Sequence, residues 1–160
     1  MSDNDGEIYC LRIQLTEEQL IIPRSCVAEV VIWQTPVEFE QAPDWCLGSI
    51  TWEGQQVPVV SFEGLSGQPV PAISSRTRLV VLRTLSPQLH AGAIALVAQG
   101  FPQLVRASAD LLRTDPTRSY PDDSLVICQV RLLDDSSLVP DLARLEAQVS
   151  AGLSGQLSAG

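Results

Sequence analysis

Residues 43–62, PDWCLGSITWEGQQVPVVSF, constrain the fold more than any other stretch of the chain. Two runs rich in β-branched and aromatic residues, Leu47 to Trp52 and Gln56 to Phe62, flank Glu53-Gly54-Gln55. Gly54 supplies the positive φ that a tight reversal needs, so the stretch reads as a β-hairpin. Pro58 has no N–H to give to a ladder, which assigns the second run to an edge or a bulged strand.

The rest of the chain repeats this style. Ile8 to Leu15 alternates, with Tyr9, Leu11, Ile13 and Leu15 on one face, and Leu20 to Pro23 returns after a polar turn. Val27 to Trp33 follows as a third run. Residues 64–77 hold Gly64, Gly67, Pro69 and Pro71 and form the clearest linker. Leu79 to Leu82, Ala91 to Ala98 and Gly100 to Arg106 then echo the opening as strand, strand, break, strand. Ser108 to Leu112 reads as one helical turn, and Leu125 to Leu133 and Leu138-Val139 as further strands. Leu142, Leu145 and Val149 form an apolar stripe at helical spacing, with Gly152 ending the helix. The expected fold is all-β: two SH3-like five-stranded β-barrel subdomains and a short C-terminal helix. One domain spans 7–149, as halves 7–63 and 78–149 around the linker 64–77, with 1–6 and 151–160 as disordered tails. Leu11, Ile13, Ile50, Val59, Leu82 and Val97 are the expected core.

Catalytic machinery is not visible. His90 is the one histidine, and Asp122-Asp123 and Asp134-Asp135 lie in turn-like contexts where Asp is favoured for local hydrogen bonds. No Gly-rich phosphate loop appears, and the expectation is no enzyme, no cofactor and no metal site. Cys10, Cys26, Cys46 and Cys128 have no CxxC spacing and read as reduced packing residues. The N-terminus lacks the features of a secretory signal, and no apolar run reaches bilayer length, so a cytoplasmic location is expected. Residues 1–75 carry eleven acids against Arg12 and Arg24, whereas residues 76–160 balance at eight of each sign, with no lysine anywhere. All of the net charge of −9 therefore sits in the first half. That bias argues against nucleic acid and anionic membrane as partners, and it suits either a cationic protein surface or plain solubility.

Pro43, Gly48, Gly54, Pro58 and Val59 stand, without a gap, at the spacing of the central signature of the CheW-like proteins. The chain resembles this family of coupling adaptors from bacterial chemosensory arrays. Val27-Ala28-Glu29-Val30 is similar to the family's V-x-E-I strand, and Pro140 to Leu145 to its terminal L-D-L-x-x-L. Three positions depart: Thr51 replaces an Asn, Glu53 an Arg and Ser61 an Asp. Retention of the V-P-V and P-D-L words with loss of the Asn-x-Arg-Gly core resembles the divergent adaptors of type IV pilus (twitching motility) systems.

The resemblance implies a non-enzymatic scaffold that joins a methyl-accepting chemoreceptor's cytoplasmic tip to the regulatory domain of a CheA-type histidine kinase, in arrays at the membrane. It places Val27, Glu29, Gly48, Thr51, Glu53 and Gly54 at partner-binding positions, with Val27 and Gly48 lining a groove between barrels that accepts a receptor helix hairpin. Alternatives stay open for three features. The Val27 run is also readable as a buried strand with one outward glutamate, Gly48 as a β-bulge glycine and Glu53 as a solvated turn residue. A small-ligand-binding or sensory β-barrel without a kinase is the other functional reading, and it requires a closed apolar cavity. Cys10 and Cys128 should both lie buried in strands and escape thiol labelling of the native protein, as mass spectrometry would show.

Overall fold

The structure is a computed structural model that describes residues 7–85, 89, 91–108, 112–114, 120–121, 124–132 and 135–153. The chain opens with the hairpin β1 (Glu7–Gln14) and β2 (Gln19–Pro23), whose turn is closed by Leu15 N–H donating to the Glu18 carbonyl at 2.8 Å. A 3-10 turn over Arg24–Cys26 leads to β3 (Val27–Ile32). The central hairpin is β4 (Cys46–Trp52) and β5 (Gln55–Val60), followed by the single turn α1 (Phe62–Leu65). Then come β6 (Arg78–Arg83), β7 (Ala93–Ala98), β8 (Gln103–Ser108), β9 (Leu112–Thr114), β10 (Val126–Leu132), β11 (Asp135–Pro140) and α2 (Leu142–Gly152).

Two curled sheets form from these strands. One is six-stranded in the order β8-β1-β2-β11-β10-β9, and the other five-stranded in the order β3-β6-β7-β5-β4. Setting aside the three-residue β9, the orders correspond one to one, and each sheet holds one parallel pair, β2 with β11 and β5 with β7. The all-β expectation with barrel-like halves and a C-terminal helix therefore holds. The expected division at 64–77 does not. Residues 64–77 join β5 to β6 inside the five-stranded sheet, and the chain changes sheets at Arg24–Cys26 and again between β7 and β8. Glycine and proline mark where a ladder stops, and they carry no information about which sheet the next strand joins.

Three apolar clusters follow. Ile50, Val57, Val59, Leu79, Val81 and Val97 fill the five-stranded barrel, and Cys10, Ile21, Ala107, Val130 and Leu132 the other. The largest cluster lies between the sheets, with Ile13, Leu20, Ile22, Val80, Ile94 and Leu96 among its members. β7 shows why the chain is written as it is: all six residues are buried, alternately into the barrel and into the central layer. A strand covered on both faces reads as a continuous apolar run. Five of the six expected core residues are buried, but Leu11 is only half-buried, because it pairs with Leu104 on the edge strand β8, which is exposed.

Pro58 lies on an interior strand, not on an edge. Ser49, its partner in β4, exchanges backbone hydrogen bonds with Val37 on the other side (2.8 and 2.9 Å). The pair Ser49–Pro58 is thus one that exchanges no ladder bonds, and the proline nitrogen faces β7, whose parallel ladder begins only at Val59. No donor is missed, so the proline is tolerated.

Helix α2 closes the central layer. Asp141 caps it, its carboxylate accepting from the Arg144 N–H at 3.0 Å, and Leu145, Val149 and Leu153 descend into the core. The helix ends at Gly152 as expected, but Leu153, assigned to a tail, is fully buried. The remaining tail assignments, 1–6 and 154–160, lie outside the described residues. So do His90, Asp122, Asp123, Asp134 and the middle of the helical turn expected at 108–112; Ser108 ends β8 and Leu112 begins β9.

Trp45 is wedged where α1 meets the end of α2. A Cβ on Gly152 would overlap the Trp45 indole, and one on Gly64 would stand 2.9 Å from the Trp45 Cβ. In an exposed helix, glycine to alanine is stabilising by about 1 kcal/mol. Here Gly152→Ala should instead lower stability by about 1–3 kcal/mol through overpacking. Urea denaturation of Gly152→Ala, with and without Trp45→Ala to make room, checks this, and the double variant should recover part of the loss.

Candidate functional site

The central hairpin turns in two residues, Glu53 (φ 48°) and Gly54 (φ 77°), between the paired Trp52 and Gln55. Both positive φ values belong to a type I′ turn, which matches the twist of the flanking strands. Only Gly54 enters that region without strain, so Glu53 is held there by the hairpin. Its carboxylate side chain projects from an exposed tip.

Behind the tip the hairpin is braced by side chains. Gln56 Nε2 donates to Thr51 Oγ1 at 2.9 Å, and Ser49 Oγ donates to Gln56 Oε1 at 3.1 Å. Trp52 Nε1 donates to Glu29 Oε1 at 3.0 Å. Glu29 lies on β3 and Trp52 on β4, the two ends of the five-stranded sheet, so this bond ties the seam where the sheet curls back on itself. Glu29, Thr51, Glu53 and Gly54 therefore come together on one exposed, polar end of that barrel.

Val27 and Gly48 do not join them. Val27 is half-buried at the start of β3 and packs on the central layer. Gly48 is buried at a bulge, where the register slips between Cys46 and Gly48 and φ is +132°. A Cβ there would overlap the Val37 carbonyl of the chain's own covering segment. Gly48 thus fits the bulge reading, and the close approach seen at it is to the chain's own backbone.

A groove of about 850 Å³ lies between α2 and the end of β6, beside the 3-10 turn at Arg24–Cys26, and sequence reading missed its lining. Cys26, Arg83 and Leu85 form one wall, and Leu142, Ala143 and Ala147 of α2 the other. Leu85 is 93% exposed, and its N–H donates to Glu146 Oε1 at 3.0 Å, which fixes it at the rim. The available signal was the spacing of Ala143, Ala147 and Ala151, a small-residue stripe on the side of α2 away from Leu145 and Val149.

The thiols differ in environment. Burial, and then the neighbouring Cys26, push the Cys10 thiol up, and burial pushes up that of Cys46. Cys128 is half-buried, not buried as expected, because β10 turns that face partly outward. Among the described residues no cluster of three or more His, Cys, Asp or Glu could hold a metal ion, and no helix is long and apolar enough to cross a membrane.

Comparison with known proteins places these features. The model of the CheW-like domain family matches residues 9–148. Among solved structures, the chain is similar to the scaffolding protein TtCheW from Thermoanaerobacter tengcongensis, with a TM-score of 0.71 and 16% identity over 84% of this chain and 88% of that one. No curated protein matches the sequence significantly.

The strained tip makes a direct prediction. Glu53→Asn gives the turn an Asn-Gly pair, which accepts positive φ at both positions, and should stabilise the fold by about 1 kcal/mol. A rise in the urea midpoint at unchanged slope is the expected readout.

Proposed function

The chain belongs to the CheW-like domain family, and on that basis we propose that it is a non-enzymatic adaptor coupling a chemoreceptor's cytoplasmic tip to a CheA-type histidine kinase. The observation that carries this reading is the family match across almost all of the described chain, 9–148, with both barrels present. An adaptor works by presenting surfaces, and two distinct ones are available. The groove beside α2 is apolar along that helix and rimmed by Arg83 and Glu146, which suits one face of a receptor helix. The hairpin end of the five-stranded barrel is polar and acidic, and it suits a second, more electrostatic contact. The kinase's regulatory domain would take a barrel end.

Glu53 sets the partner's chemistry. The family pattern has arginine at this position, whose five donors fit carboxylates and carbonyls. Glutamate offers acceptors only, so a partner shaped for arginine meets like charge. The adaptor would thus favour a receptor or kinase with a basic residue facing Glu53 and be insulated from ordinary CheW partners. Control of type IV pilus motility is the pathway assigned, on the retained V-P-V and P-D-L words.

Pull-down of the cognate receptor tip and kinase tests both surfaces. Ala147 is exposed on α2 in the groove, so Ala147→Arg should abolish receptor-tip capture with the fold intact by circular dichroism. Glu53→Arg should weaken cognate capture, and wild-type capture should fall as salt rises. Deletion in the source cell should impair twitching. Unchanged capture by both variants would remove these surfaces from the reading.

A further inference from the structure

Glu63 occupies an unusual position for a carboxylate. It lies in the first turn of α1 and is 5% exposed. Its Oε2 accepts the Thr16 N–H at 3.0 Å, whereas Oε1, also buried, has no hydrogen-bond partner. A buried carboxylate without full pairing is costly, and removal of that cost requires a donor or a counter-charge at the open oxygen.

The surroundings point to a cation. A depression of about 230 Å³ is lined by Glu63, Glu17 and Glu18 together with Phe62 and Tyr120. Neither Glu17 nor Glu18 makes an ion pair among the described residues, and no arginine among them lines the depression. The chain has no lysine. Three glutamates thus line one depression, and among the described residues nothing of opposite sign lines it with them. Phe62 is buried in the central core, and the half-buried Tyr120 supplies aromatic surface beside the acids. Carboxylates beside aromatic faces favour a planar guanidinium, which forks onto oxygens and stacks on rings, over a compact ammonium.

We propose that this depression is a binding site for a guanidinium group, presented by an arginine side chain of a partner protein. Glu63 Oε1 is the inner acceptor, Glu17 and Glu18 are the outer ones, and the Tyr120 ring flanks the plane. The site shares no lining residue with the hairpin tip or the α2 groove, and it does not rest on the adaptor reading. A partner's arginine is favoured over free arginine because the free amino acid brings its own carboxylate toward Glu17 and Glu18.

The test is an NMR titration of the full-length, 15N-labelled protein at low salt with N-acetyl-argininamide. Its citrulline analogue, putrescine and free arginine serve as comparisons. Saturable shifts at the Thr16 and Gln68 amides, with half-saturation at about 1–10 mM, are expected for the argininamide. Citrulline should produce none, and putrescine and free arginine should bind several-fold more weakly. Glu63→Gln keeps an oxygen for Thr16 and should weaken binding at least about tenfold. Should Glu63→Gln fail to fold, the exposed Glu17→Gln decides, with an expected loss of a few-fold. Absence of saturation, equal binding by citrulline or equal binding in the variants would overturn the site and leave Oε1 to water. Putrescine matching the argininamide would overturn the guanidinium assignment, and tighter binding of free arginine the partner assignment.

Discussion

Side chains from both sheets meet in one central layer, and that layer decides how almost every strand is written. Ile13, Leu20 and Ile22 reach it from the six-stranded sheet, Val80, Leu82, Ile94 and Leu96 from the five-stranded one, and Leu145, Val149 and Leu153 from α2. Each barrel also has an interior of its own, so strands such as β7 bury both faces. Without the layer, two small barrels would each expose an apolar wall too large for water. Arg12 closes the open end of the six-stranded barrel: its guanidinium reaches Asp135 at 3.2 Å and Gln103 at 3.3 Å, joining β1, β8 and β11.

Local features of this fold were legible in the sequence. The alternation of β1, the reversal at Gly54 and the Leu145–Val149 stripe each depend on residues a few positions apart, and each appears in place. Features that depend on distant pairing were not. Pro58 reads as an edge residue until one knows that Ser49 turns its hydrogen bonds toward Val37. The glycine-rich linker reads as a boundary until one sees β5 and β7 paired across it. Leu153 reads as tail because Gly152 before it marks the helix end, although it stands four residues after Val149 and continues that stripe.

The candidate surfaces divide along the same line. Glu29, Thr51, Glu53 and Gly54 were placed together by a linear motif, because a hairpin keeps sequence neighbours in space and Trp52 draws Glu29 to them. Gly48 was in the motif for a different reason, since a bulge under a covering segment demands glycine as firmly as an interface does. The groove escaped notice because its two walls, near Cys26 and near Ala147, are brought together only by the central layer. Glu63 escaped because a glutamate in an amphipathic turn looks solvated until the hairpin turn of β1 and β2 folds over it.

The order of strands has a consequence for how the protein is made. The five-stranded sheet is built from one unbroken stretch, β3 to β7, whereas the six-stranded sheet needs the first two strands and the last four. On a ribosome, the inner sheet has all its strands once Ala98 has emerged. The β1–β2 hairpin must wait for β8, β10 and β11, with Cys10 and Ile21 uncovered meanwhile. Synthesis proceeds at roughly 5–20 residues per second, so the exposure lasts for seconds. During that interval the nascent chain presents a sticky apolar wall, and protection by a ribosome-bound chaperone matters more than it would for a chain whose sheets form in sequence.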